Sequence, residues 1–317
     1  MSCFHTLTAY KDMQGNLTFK RPKVISQTLQ LPCGKCIGCR LDHANDWATR
    51  CWCEAKSWEN NCFITLTYND ENLPKDGYLI KKDLQDFMKR LRYYYDGIQE
   101  WTNPRTNKKE KPIRFLACGE YGPNGTHRPH YHILIFNWKP QDKLKFYKEN
   151  HNKDRIMISQ KITEIWGKGF TTVGNLTYQS ACYVSRYCTK KMFKGVKSEI
   201  MKKVQIQPEF ILMSRNGGIG IKYWNQYQEQ ILKQEGILIK IGDKVKNRKI
   251  PKYYERKYKE QIGDWNYEQY SERKIAKGKK AIAETLKNTS LNESEYKQMQ
   301  ERILKEKTRI LRRTNFI

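Results

Sequence analysis

His130 and His132 stand two apart in the run His-Arg-Pro-His-Tyr-His-Ile-Leu-Ile-Phe at 127–136, and Tyr183 and Tyr187 stand four apart in Tyr-Val-Ser-Arg-Tyr. In a β-strand successive side chains point to opposite faces, so the two imidazoles share a face while Tyr131, Ile133 and Ile135 take the other. In a helix, residues four apart lie one above the other with about 5–6 Å between Cβ atoms, which sets the two phenols side by side. Lys190 follows on the same helical face one turn beyond Tyr187. An imidazole pair suits a metal, and a phenol is an oxygen nucleophile. Together they form a set of groups able to cut a phosphodiester.

Composition indicates the polymer. The 317 residues include 60 Lys and Arg against 33 Asp and Glu, a formal charge of +27, the electrostatic footprint of a polyanion binder. Its 20 tyrosines and 8 tryptophans are interleaved with cations, as in Lys252-Tyr-Tyr-Glu-Arg-Lys-Tyr at 252–258, a mixture suited to stacking on single-stranded bases. There is no Gly-x-x-x-x-Gly-Lys-Ser/Thr loop, which excludes a P-loop motor, so unwinding would fall to a partner. The opening Met-Ser-Cys-Phe-His-Thr lacks the regions of a signal peptide, and no apolar run approaches about 18 residues. A cytosolic protein with reduced thiols and no membrane association is expected.

Local periodicity gives the elements that must position these groups. Phe63 to Tyr68 reads as a strand, and Asp83 to Tyr95 as a helix with Leu84, Phe87, Met88, Leu91 and Tyr95 on one face. Ile113 to Glu120 and His130 to Phe136 are strands joined through the turn-rich stretch Tyr-Gly-Pro-Asn-Gly at 121–125. Ile158 to Trp166 is a helix, Gly169 to Gly174 a strand and Tyr178 to Met192 the helix bearing both tyrosines. The order β-α-β-β-α-β is the split βαβ, ferredoxin-like arrangement of an α+β antiparallel sheet. A hairpin between the second and third strands lets Glu120 converge with His130 and His132, one carboxylate and two imidazoles that suit Mg²⁺, Mn²⁺ or a transition metal. His127 is an alternative third ligand, but its place in the turn suggests a DNA contact or simple exposure.

An N-terminal segment, residues 1–60, is rich in cysteine: Cys3, Cys33, Cys36, Cys39, Cys51 and Cys53. Cys33 and Cys36 have Cys-x-x-Cys spacing, which lets two thiolates reach one Zn²⁺. Cys39, Cys3, His5 or Cys51 could complete a structural zinc clip. The other reading is a set of buried free thiols. Gly217, Gly218 and Gly220 close the run Phe-Ile-Leu-Met-Ser-Arg-Asn-Gly-Gly-Ile-Gly and fit a turn, not a dinucleotide fingerprint. Residues 236–317 form a basic, largely helical tail in which Tyr296, Met299, Ile303 and Ile310 mark one amphipathic helix.

A histidine in an apolar strand, or two tyrosines four apart, is by itself an ordinary packing feature. Their conjunction, with a carboxylate and a large positive charge, resembles the HUH endonuclease superfamily. Within it, the chain is similar to the rolling-circle replication initiators of the microviruses, especially the gokushovirus branch. The similarity covers most of the chain: Pro-Cys-Gly-Lys-Cys at 32–36, Phe-Ile-Thr-Leu-Thr-Tyr at 63–68, Cys-Gly-Glu-Tyr-Gly at 118–122, Arg-Pro-His-Tyr-His at 128–132, the Tyr183, Tyr187, Lys190 pattern and Met-Ser-Arg-x-x-Gly-Ile-Gly at 213–220. Tyr131, bulkier than the family's usual aliphatic, faces away from the histidines.

The resemblance implies an HUH nickase domain at 61–235, with Mg²⁺ or Mn²⁺ on His130, His132 and Glu120. Tyr183 or Tyr187 would form a 5′-phosphotyrosine with origin DNA, Lys190 would neutralise charge, and the second tyrosine would allow rejoining. Arg128, Arg186 and Lys191 are expected to contact the single strand. Partners would be a host helicase and DNA polymerase, in the cytoplasm of an infected bacterium. Two competing readings stay open: a plasmid initiator or transposase of the same superfamily, and a non-enzymatic zinc-containing DNA-binding or packaging protein.

Overall fold

The computed structural model describes residues 3–103, 106–122, 128–150, 153–190 and 207–313, without the side chains of 187–190 and 309–313. In chain order the elements are β1 (Leu7–Lys11), β2 (Leu17–Thr18), β3 (Gln27–Leu31), α1 (Ile37–Lys56), β4 (Asn61–Tyr68) and α2 (Lys81–Tyr94). A minor hairpin, β5 (Trp101–Thr102) and β6 (Lys109–Glu110), precedes β7 (Arg114–Tyr121), β8 (Pro129–Phe136), β9 (Lys145–Glu149) and β10 (Arg155–Ile158). Then come α3 (Gln160–Trp166), β11 (Gly169–Gly174), α4 (Tyr178–Lys190), β12 (Phe210–Met213) and α5 (Ile221–Lys233). The hairpin β13 (Ile237–Ile241) and β14 (Lys244–Arg248) and the helices α6 (Lys252–Lys287) and α7 (Glu293–Arg313) complete the chain. Among the described residues no helix is long and apolar enough to cross a membrane.

Seven strands form one sheet in the order β12-β7-β8-β4-β11-β10-β9, each antiparallel to its neighbour. β4 and β7 run parallel with β8 between them, and β8 and β11 run parallel with β4 between them. Helices α2 and α3 make those two crossovers, so β4-α2-β7-β8-α3-β11 is a split βαβ path through an α+β sheet. The edge hairpin β9–β10 is an addition to the elements expected from sequence. Every residue of β9 is exposed, so it carries no alternation from which a strand could be read.

The two faces of the sheet follow from alternation. On β4 the residues Cys62, Ile64, Leu66 and Tyr68 are buried, while Phe63, Thr65 and Thr67 on the other face are half-buried. The first set joins Leu84, Phe87, Met88 and Leu91 of α2, Ile162, Ile165 and Trp166 of α3, and Tyr131, Ile133 and Ile135 of β8 in one core. Burying each such side chain contributes about 1.5–3 kcal/mol. Helix α3 is held at both ends. Ser159 Oγ accepts from the Ile162 N–H, and Gly167, at φ 63°, turns the chain while its N–H bonds the Thr163 carbonyl. The opposite face of the sheet carries α4, which packs on β7, β8 and β12.

The chain divides into two compact units, residues 44–254 and residues 1–43 with 255–315. In the first, Arg114 of β7 is buried against Glu54 of α1, Nε to Oε1 at 2.6 Å. Its remaining donors bond the carbonyls of Asn216 and Gly218, and Glu54 Oε2 accepts from the Gly220 N–H. The glycine run is therefore a turn clamped by a buried ion pair, with Gly217, Gly218 and Gly220 all at positive φ. In the second unit β1 to β3 form a separate sheet in the order β2-β1-β3. His5 meets Glu301 of α7 at 3.0 Å, and the long α6 is broken at Gly263, which adopts φ 81°.

Candidate active site

Pairing register brings the sequence-predicted residues together. Across β7 and β8, Glu120 lies opposite His130 and Cys118 opposite His132. Across β4 and β8, Thr67 lies opposite His130 and Thr65 opposite His132. Cross-strand partners share a face, so Glu120, His130, His132, Thr65 and Thr67 form one patch beneath α4. Glu120 and His132 are buried, at 2% and 5% exposure.

Glu120 Oε1 lies 2.7 Å from His132 Nε2. The Tyr183 hydroxyl of α4 donates to the same Oε1 at 2.7 Å and stands 3.4 Å from His132 Nε2. Thr65 Oγ1 meets His132 Nδ1 at 3.0 Å, and Thr67 Oγ1 meets His130 Nδ1 at 3.1 Å. These hydroxyls orient the rings through Nδ1 and leave each Nε2 facing the patch, the outer-shell arrangement found behind metal-binding histidines. Phe63 stacks on His132 with the ring planes 8° apart, fixing the ring from its flat side. Among the described residues His130 Nε2 makes no hydrogen bond, and a Cβ on Gly122 would come within 2.8 Å of it.

The electrostatics favour a cation here. A carboxylate oxygen and an imidazole nitrogen 2.7 Å apart are both acceptors unless a proton or a metal lies between them. Burial first, and His132 second, push the His130 pKa down, which keeps that imidazole neutral and able to ligate. Burial, followed by the charge of Glu120, raises the Tyr183 phenol far above its ordinary value. Its proton is held tightly in the absence of a nearby cation. The donor set, two oriented imidazoles and one carboxylate, therefore fits a divalent metal such as Mg²⁺ or Mn²⁺.

Other candidates are distributed differently. Tyr131 points to the opposite face, where its hydroxyl meets that of Tyr68 at 2.7 Å. Arg128 donates to the Tyr68 carbonyl and pairs with exposed Asp70. Arg186 is exposed, its guanidinium 6.0 Å from the centre of the Tyr183 ring. The backbone of α4 carries Tyr187 and Lys190, whose side chains lie outside the described residues, as do His127 and Lys191 altogether. Thr65, Thr67 and Phe63 were missed by sequence reasoning. Their signal was present, since three residues alternating on β4 must share a face with the histidines once the strands are paired.

A second cluster lies in the other unit. Among the described residues, Cys3, Cys33, Cys36 and Cys39 are the group of potential metal ligands whose donor atoms all lie within 4.8 Å of one another. Cys51 and Cys53 are buried thiols outside it. Burial raises Cys3 and Cys39. At Cys33 burial acts upward too, but the backbone N–H groups of Cys36 and Lys35 prevail and bring the thiol down to about 7.

Comparison with known proteins gives a consistent result. Residues 61–192 match the replication-associated protein ORF2 family. The replication-associated protein ORF2 of Spiroplasma virus 4 is 37% identical over 252 residues, 78% of this chain and 73% of that protein. The replication-associated protein VP4 of Bdellovibrio phage phiMH2K is 31% identical over 261 residues, 82% of this chain and 78% of that protein. The replication-associated protein ORF4 of Chlamydia phage 1 is 31% identical over 212 residues, 66% of this chain and 49% of that protein. No solved structure matches the chain.

Proposed function

The chain belongs to the family of microvirus replication-associated proteins, and on that premise we propose that it is an HUH-type single-strand DNA endonuclease and strand transferase that initiates rolling-circle replication. The observation that carries this reading is the Tyr183 hydroxyl bonded to Glu120 at 2.7 Å beside two histidines held by Thr65 and Thr67. The split βαβ path from β4 to β11 supports a ferredoxin-like nickase domain, which we assign to residues 61–235.

Glu120, His130 and His132 would hold Mg²⁺ or Mn²⁺, which when bound draws charge from the oxygens of the scissile phosphate. Tyr183 attacks phosphorus in line, the bond to the 3′-oxygen breaks, and the phenol proton passes toward Glu120 Oε1. The product is a 5′-phosphotyrosine and a free 3′-hydroxyl that primes a host polymerase behind a host helicase. Arg186 and Lys190 lie on the helix that carries the nucleophile and offset the charge that builds on the phosphorane. After one round Tyr187 cleaves the regenerated origin, and the 3′-hydroxyl so released attacks the first phosphotyrosine. That step closes a circle and frees Tyr183. Each bond broken is replaced by one of the same class, so joining needs no ATP. Arg128 and Lys191 contribute phosphate contacts to the strand.

The test is a labelled single-stranded origin oligonucleotide incubated with the protein and Mn²⁺, with products resolved in SDS. A covalent adduct is expected, lost in Tyr183→Phe and in His130→Ala/His132→Ala while salt-dependent DNA binding persists. An adduct that survives Tyr183→Phe/Tyr187→Phe sinks the nucleophile assignment.

A further inference from the structure

The four cysteines at the start of the chain come together for a structural reason. β1 and β3 pair antiparallel with Leu7 opposite Leu31, so Cys3, just before β1, and Cys33, just after β3, emerge side by side. Gly34, at φ 73°, then reverses the backbone as glycine can. This brings Cys36 back just before α1 and puts Cys39 in the first turn of that helix.

Backbone amides point at the sulfurs. The N–H of Cys33 donates to Cys3 Sγ at 3.2 Å. Those of Lys35 and Cys36 donate to Cys33 Sγ at 3.4 and 3.3 Å, and that of Cys39 to Cys36 Sγ at 3.5 Å. Two amides on a single sulfur favour a thiolate over a thiol, because a charged acceptor gains more from each hydrogen bond. The start of α1 adds the positive end of its dipole.

The spacing fits a metal better than it fits disulfides. Cys33 and Cys39 sulfurs stand 4.0 Å apart, and all four lie within 4.8 Å of one another. A tetrahedron with Zn–S bonds of about 2.3 Å has sulfur-to-sulfur edges of about 3.8 Å, whereas a disulfide brings two sulfurs to about 2.05 Å. The surrounding segment also has little else to hold it. Leu7, Met13, Leu17, Phe19 and Val24 are exposed, and among the described residues before Arg40 the buried apolar side chains are Cys3, Ala9 and Cys36. A three-stranded sheet with so small a core needs a staple.

We infer that Cys3, Cys33, Cys36 and Cys39 bind one Zn²⁺ as a closed four-thiolate site that fastens β1 and β3 to the start of α1. The site has a full set of protein ligands and no open position, so it is structural. It is independent of the nicking chemistry and stands whether or not that reading holds.

The experiment is metal analysis of the full chain purified under reducing conditions without added metal, followed by cobalt exchange. One zinc per chain is expected, kept in Cys62→Ser and in His130→Ala/His132→Ala and lost in Cys33→Ser/Cys36→Ser. Exchange with Co²⁺ should give the strong sulfur-to-cobalt absorption of a tetrahedral thiolate site. Cys39→His guards against simple misfolding of the serine variant, since it should retain a stoichiometric metal with weakened sulfur-to-cobalt absorption. Absence of stoichiometric zinc, iron in its place, or zinc that follows the histidines and not the cysteines overturns the assignment.

Discussion

Strand β8 carries two polar clusters back to back, and both contain a phenol bonded to a carboxylate at 2.7 Å: Tyr183 with Glu120 on one face and Tyr68 with Asp83 on the other. They differ in what the remaining lone pairs do. On the inner face Tyr131 joins Tyr68 and exchanges hydrogen bonds with the N–H and carbonyl of Ile80, while Asp83 also takes Lys168 at 3.1 Å. That network is closed, and it locks α2 to the sheet. On the outer face an imidazole and a carboxylate oppose one another as acceptors, and the phenol is carried by a separate helix. A buried phenol–carboxylate pair is thus not a site in itself. Competing acceptors beneath a donor from another element are what leave room for a cation and a substrate.

The sharpest way to break this contrast is to remove one carboxylate charge on each face. Glu120→Gln should lower cleavage by about 10²–10³ and leave the melting temperature nearly unchanged, read by adduct formation and thermal denaturation. Asp83→Asn should do the reverse. If both variants lose activity with stability intact, the two faces are not functionally distinct. Next in size is Tyr131→Phe, which strips partners from Tyr68 and from both backbone groups of Ile80. Loss of about 2–3 kcal/mol in urea unfolding is expected, since each buried group left unpaired costs about 1–3 kcal/mol, with unchanged specific activity. Smaller again is Thr65→Val. Loss of the hydroxyl behind His132 should weaken Mn²⁺ binding about 10–100-fold, measured by titration of the metal, and hardly move folding stability.

The same two faces show what the sequence could reveal. Alternation within β8 and β4, helical spacing in α2 and α4, and the short hairpin to Glu120 are local patterns, so the histidines, the carboxylate and the tyrosine helix were all legible. Helix α1 was not. Its buried face carries Thr49, Arg50 and Glu54, polar residues among which Arg50 and Glu54 are satisfied by Arg114, Ile219 and Gly220 from far along the chain, so its hydrophobic period is interrupted. The exposed hairpin β9–β10 offered no period at all. Which cysteine completes the N-terminal cluster also stayed open among Cys3, Cys39, His5 and Cys51, because the answer depends on the β1–β3 register. Thr65 and Thr67 became interpretable only once β4 was paired with β8.

The smallest expected effect is an alkaline one on the inner face. Burial first, then Tyr131 and Asp83, raise the Tyr68 phenol above its ordinary 10.0, and burial lifts Tyr131 to about 12. A folded pKa above the unfolded one means that the native state keeps a proton the unfolded chain releases. The resulting stability is fully present below pH 10 and drains away as pH rises through the folded value, between about 10 and 12 for Tyr131. One pKa unit corresponds to about 1.4 kcal/mol, so roughly 1 kcal/mol should disappear between about pH 10 and 11. Urea midpoints compared for Tyr183→Phe and Tyr183→Phe/Tyr131→Phe isolate it, because the raised phenol of the outer face would otherwise add a step of the same sign. The stability advantage of the chain that keeps Tyr131 should narrow over that interval. A constant advantage would mean that Tyr131 ionises alike folded and unfolded, and the inner network would then be no more closed to solvent than the outer one.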